Sequence, residues 1–130
     1  MYLQKLSYEQ KLAFLSIALK IINADEILNR REQNAIDLMR LEMGLIEEAK
    51  LPTGSMENIV SKFDSNKSKV YAFIEWLALA YADDNFSGEE KKILRAIAIL
   101  FDFSEEKAKK IENWVISYKE LIKKVDSFFL

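Results

Sequence analysis

The residues best equipped for chemistry are the carboxylates of two acidic turns. Ala24-Asp25-Glu26-Ile27-Leu28-Asn29-Arg30-Arg31-Glu32 and Ala82-Asp83-Asp84-Asn85-Phe86-Ser87-Gly88-Glu89-Glu90 share a frame in which Ala, Asp and the closing Glu keep step. Carboxylate oxygens suit hard divalent ions, so Asp83, Asp84 and Glu90, or Asp25 and Glu32, are the candidate ligands for Ca2+ or Mg2+. The same residues also have an ordinary local role. An Asp in a turn accepts an N–H from the loop that follows it, and Glu32 and Glu90 fit the closing position of a capping box. Asp83-x-Asn85-x-Ser87-Gly88 repeats the first half of an EF-hand loop, but the twelfth position is Leu94, where that loop needs a bidentate Glu.

Composition removes most other chemistry. The chain contains neither histidine nor cysteine, which leaves out imidazole general bases, zinc sites, Ser-His-Asp triads, thiolates and disulfides. The formal net charge of −2 at pH 7 argues against nucleic-acid binding, which needs a basic footprint. The most apolar run, Val70 to Ala82, is too short to span a bilayer and contains Glu75. With no basic-then-apolar leader at the start, a cytoplasmic location is the expectation.

A carboxylate-only, Mg-dependent hydrolase resembling helical nucleotide pyrophosphohydrolases is the remaining enzymatic alternative. The Glu-Glu pairs beginning at Glu47, Glu89 and Glu105 lack the third acid of the Glu-Glu-x-x-Glu pattern such enzymes carry. The reading is therefore non-enzymatic.

The elements that must hold these turns are helices. Half of the 130 residues are apolar and 31% are charged, with only one proline and three glycines, a balance that predicts a single all-α domain over residues 1–130. Ser7-Tyr8-Glu9-Gln10 reads as a capping box opening a helix that ends near Asn23-Ala24. Its stripe of Leu12, Leu15, Leu19 and Ile22, widened by Phe14, Ala18 and Ile21, predicts contact on more than one side.

Asn29-Arg30-Arg31-Glu32 opens a second helix with Ile36, Met39 and Met43 inward and Gly44 as its terminator. Ile46 to Leu51 add a short turn before Pro52, and Ser55 caps a short helix ending near Phe63. From about Lys67 to Ala82 a helix is apolar nearly all round, which places it in the middle of a bundle. Ser87-Gly88-Glu89-Glu90 caps the next helix, with Ile93, Leu94, Ile97, Leu100 and Phe101 on its buried face. Ser104 caps the last, in which Ile111, Trp114, Val115, Tyr118, Leu121, Ile122 and Val125 recur at helical spacing. Glu75 is expected at the bundle edge or in a salt bridge, and Trp76 and Trp114 in the core or a groove wall.

Leu19 matches Leu77, Ile36 matches Leu94, and Met39 matches Ile97. The chain thus reads as two helix-turn-helix repeats, about 8–50 and 66–110, packed into one compact bundle. The doubled frame of Ala-Asp-x-x-apolar-x-x-x-Glu between apolar helices resembles the tellurite-resistance TerB family and its TerB-like relatives, from about Leu12 to Trp114. The second unit continues with Ile93-Leu94 and the Phe103-Ser104-Glu105-Glu106 corner. That family usually has Gly after the Asp, where this chain has Glu26 and Asp84. The resemblance implies about seven helices, an acidic surface binding divalent metal, and a non-enzymatic adaptor role in stress-response or membrane-associated assemblies with a protein partner. The alternative is a metal-free structural subunit, a homodimer or partner-binding protein, with Trp114, Tyr118 and the Phe128-Phe129-Leu130 tail as its interface.

Overall fold

The computed structural model describes residues 2–23, 30–45, 50–82 and 88–129, apart from the side chains of 31 and 32. Among the described residues the chain is helical without strands. It runs as a 3-10 turn (Leu3–Lys5), then α1 (Tyr8–Ile22), α2 (Arg30–Met43), α3 (Met56–Val60), α4 (Asn66–Ala80), α5 (Gly88–Leu100), α6 (Glu105–Val125) and a closing 3-10 turn (Asp126–Phe129). Two features expected from sequence, the turn within 46–51 and the caps at Asn29 and Ser87, fall wholly or mainly outside the described residues.

Local signals set the helix boundaries. Ser7 Oγ accepts Gln10 N–H at 3.2 Å while Gln10 Oε1 accepts Ser7 N–H at 2.9 Å, the reciprocal pair of a capping box. The Gln10 amide also reaches across the bundle, where Nε2 donates to the Lys62 carbonyl at 3.1 Å and to Asp64 Oδ1 at 3.3 Å. One buried glutamine therefore opens α1 and ties down the α3–α4 connection.

Gly44 ends α2 at φ +73°, with its N–H on Leu41 O and the Leu45 N–H on Arg40 O, the closing pattern that favours glycine. A second capping box, Ser65 with Ser68, opens α4 one residue before the expected start. Ser at the closing position lies outside the usual Glu or Gln signature. Asp102 takes the left-handed conformation at φ 59°, turning the chain after α5 so that Phe103 enters the core and Ser104 caps α6 through Lys107 N–H at 3.0 Å.

Two helices form the centre. Ala13, Phe14, Leu15, Ile17, Ala18 and Ile21 of α1 are fully buried, and α1 packs on α2, α3, α4 and α5. In α4, Ala72, Phe73, Trp76, Leu77 and Leu79 are buried as well, and it packs on α1, α5, α6 and the first 3-10 turn. Between them lies an aromatic cluster. The Trp76 indole stacks on Phe14 at 5.3 Å and meets Phe63 edge-on at 5.4 Å. Phe101 lies 6.0 Å away on another side.

Trp76 Nε1–H donates to the Phe14 carbonyl at 3.1 Å, which satisfies the only polar atom this side chain brings inside. Glu75, expected at the bundle edge or in a salt bridge, lies inside the bundle. It is buried, and Oε1 accepts the Tyr2 N–H at 3.0 Å, so it anchors the first 3-10 turn to α4.

Candidate interaction surface

The acids singled out by sequence divide into those the structure describes and those it does not. Asp25, Asp83 and Asp84 lie outside the described residues, as does the side chain of Glu32, whose backbone belongs to α2. Glu90 is in the first turn of α5 with its side chain 2% exposed, where the peptide dipoles at a helix start favour negative charge. Leu94, at the EF-hand's twelfth position, is a buried core residue. Among the described residues no three acids stand close enough to hold an ion. An open groove of about 590 Å3 runs beside α5 and α6 over Phe73, Leu94 and Ala98, with Lys91, Arg95 and Glu105 on its rim. Its rim charges are mixed in sign.

The feature that stands out is α6. A 21-residue helix is about 31 Å long at 1.5 Å per residue, yet Val115 is its one buried residue among those described. From Ser117 to Phe129 every residue is exposed except the half-buried Lys119. The exposed set includes Trp114 (43%), Leu121 (61%), Ile122 (51%), Phe128 and Phe129 (both 80%). Tyr118 and Val125 complete the run, so a continuous apolar stripe faces outward.

Helix geometry explains the arrangement. At about 100° per residue, Trp114, Tyr118, Leu121 and Val125 fall within an arc of roughly 60°, with Val115 about a quarter turn away. The seam that α6 turns toward the bundle holds Val115 together with polar anchors. Glu112 Oε1 accepts the Tyr81 hydroxyl at 3.1 Å, and Lys119 Nζ donates to the Tyr81 carbonyl. Residues seven apart on one polar flank are thus clamped to the C-cap residue of α4. That clamp turns the apolar flank sideways into solvent. Trp114 and Tyr118 are stacked at 5.5 Å with an interplanar angle of 13°, a pre-ordered aromatic pair of the kind that anchors interfaces.

The clamp has its own titration signature. Burial, and then the charge and hydrogen bond of Glu112, push the Tyr81 phenol up from 10.0 to about 12. Because the folded value is raised, the protonated clamp contributes fully below pH 10 and is lost as pH climbs toward 12. A phenolate absorbance titration is expected to show a step near pH 12 that Tyr81→Phe removes. If the phenol lost in Tyr81→Phe is one that ionises near pH 10, the clamp is contradicted.

Sequence periodicity found the α6 stripe but not its direction, because an amphipathic pattern is the same whether the apolar face meets a core or a partner. No helix among the described residues is long and apolar enough to cross a membrane. Comparison of the chain with family models, with curated proteins and with solved structures yields no match in any of the three.

Proposed function

We propose that this protein is a non-enzymatic interaction module whose working surface is the outward apolar face of α6. The observation that carries the reading is the exposed apolar run of Trp114, Tyr118, Leu121, Ile122 and Val125 on α6, continued by Phe128 and Phe129 in the closing 3-10 turn. Contiguous apolar surface of this extent on a folded domain marks a place where another molecule binds. The composition supports the same reading, since the side chains that most often carry catalysis, histidine and cysteine, are missing from the chain.

The wider TerB-like proposal keeps its support from the duplicated sequence frame; of the matched pairs, Ile36 with Leu94 and Met39 with Ile97 are both buried, while Leu19 is half-buried and Leu77 buried. In that proposal Asp25 with Glu32, or Asp83 and Asp84 with Glu90, hold Ca2+ or Mg2+ in a cytoplasmic, stress-related adaptor. Amide shifts confined to those turns on titration with either ion are the expected result. Their absence at millimolar ion would leave a metal-free module.

The α6 reading is tested by Leu121→Lys combined with Ile122→Lys. Both sites are more than half exposed, so the melting temperature should move by no more than about 2 °C. A photo-crosslinking residue at Tyr118 should give a discrete adduct in cells, which the double-lysine change abolishes, whereas the same residue at the exposed Asp37 should give none. A large drop in melting temperature, or no adduct at Tyr118, would contradict the proposal.

A further inference from the structure

We infer that the occupant of the α6 face is a second copy of this chain, lying antiparallel so that each α6 covers the stripe of the other. The inference rests on reading α6 as an interaction face and adds the identity of the partner. The exposed apolar area suits a pair of chains. The exposed fractions of the seven apolar side chains from Trp114 to Phe129 amount to on the order of 700 Å2 per protomer, hence ~1,400 Å2 for a symmetric pair, within the usual span of about 1,200–2,000 Å2 for a specific interface.

The spacing of the apolar residues sets an antiparallel register. In an antiparallel pair one heptad edge meets the other, so Trp114 faces the partner's Val125 and Tyr118 faces the partner's Leu121. Large side chains then meet smaller ones in both layers, which a close-packed seam requires. The exposed Ser117 and Lys124 come opposite each other along the flank, so no two lysines are forced together. In a parallel pair Trp114 would meet its own copy.

Antiparallel pairing also makes use of the clamp. The half of α6 held by Tyr81 offers Trp114 and Tyr118, while the half that leaves the bundle offers Leu121, Ile122 and Val125. Each protomer therefore supplies what the other lacks, the self-complementary condition for a two-fold interface.

Charge favours a protein over a lipid surface. Lys119, Lys123 and Lys124 are interleaved with Glu120 and Asp126, whereas attraction to an anionic bilayer needs a clustered basic face. A chain with a formal net charge of only −2 repels its own copies little.

Sedimentation velocity of the full chain from ~1 to ~100 µM is expected to show a mass rising to twice that of the monomer, with a Kd in the micromolar range. The Leu121→Lys, Ile122→Lys variant should weaken that association at least ~100-fold, staying mainly monomeric at ~10 µM where wild type is mainly dimeric, with helix content kept and the melting temperature of dilute wild type. Since the chain has no cysteine, Ser117→Cys and Lys124→Cys proteins mixed under oxidation should form the mixed disulfide in preference to either self-linked product.

Wild type that stays monomeric over that range overturns the inference, and so does a double-lysine variant that still dimerises. Preferential self-linking at 117 and at 124 overturns the antiparallel arrangement. A monomer that instead binds phosphatidylglycerol vesicles through this face assigns the face to a bilayer and likewise overturns it. A monomeric wild type whose double-lysine variant keeps its melting temperature leaves the interaction module standing with a different partner. A double-lysine variant that melts far lower removes both readings together.

Discussion

Replacing Leu3 and Leu6 together by alanine is expected to cost ~4–8 kcal/mol, enough to leave the chain largely unfolded at room temperature. Both side chains are at or near complete burial (0% and 4% exposed) although the segment is only a single 3-10 turn. The turn packs on α2 and α4, Tyr2 stacks on Tyr71 at 4.9 Å, and Glu75 accepts the Tyr2 N–H. Losing two buried leucines removes their transfer free energy and opens cavities that a short strap cannot close by relaxing, since α1 and α4 are fixed by other contacts. Equilibrium urea unfolding checks it, with Gln4→Ala as the exposed control. A combined loss below ~2 kcal/mol would show the strap to be peripheral rather than core.

Trp76→Ala should cost ~3–5 kcal/mol, the largest effect of any single substitution expected here. The indole is fully buried and touches rings from α1, the α3–α4 connection and the end of α5, so one truncation loosens three elements. Trp76→Phe separates the two contributions of this side chain. It keeps an aromatic plane against Phe14 but strands the Phe14 carbonyl that accepts Nε1–H, at a cost of ~1–3 kcal/mol. Measured by urea denaturation, a Trp76→Phe variant as damaging as Trp76→Ala would mean that the hydrogen bond, not ring packing, dominates this position.

These two positions mark how far the sequence could be read. Trp76 lies in a long helix that is apolar nearly all round, so the helix's central place follows from pattern, while the choice between core and groove wall for the indole does not. The caps at Ser7, Ser55 and Ser104 and the terminator Gly44 act through neighbours within a few residues, and they too are legible. Leu3 and Leu6 are not, because a three-residue turn carries no period and its burial is decided by α2 and α4, with Tyr2 held by Tyr71 and Glu75, more than sixty residues away in sequence.

The role of Glu75 was hidden for the same reason, its acceptor geometry depending on a distant N–H. The orientation of α6 was hidden for another. Glu112 and Lys119 look like members of an ordinary solvated face until Tyr81 is seen between them. Of the five acids proposed as ligands, Glu90 alone has a described side chain, and its burial in α5 could not be separated by sequence from a capping role.

The inner half of α6 packs on α4 through Ala108, Ile111 and Val115, whereas the outer half from Glu120 onward is presented to solvent. Amide hydrogen exchange measured on dilute and on concentrated protein tests that most directly. In dilute solution the amides of Glu120 to Val125 should exchange at least ~100-fold faster than those of α1 and α4, because a helix without tertiary packing opens by local fraying, and they should gain protection as binding sets in at high concentration. Protection equal to that of α4 in dilute protein would mean that the outer half of α6 belongs to the core, and the interaction face would be lost.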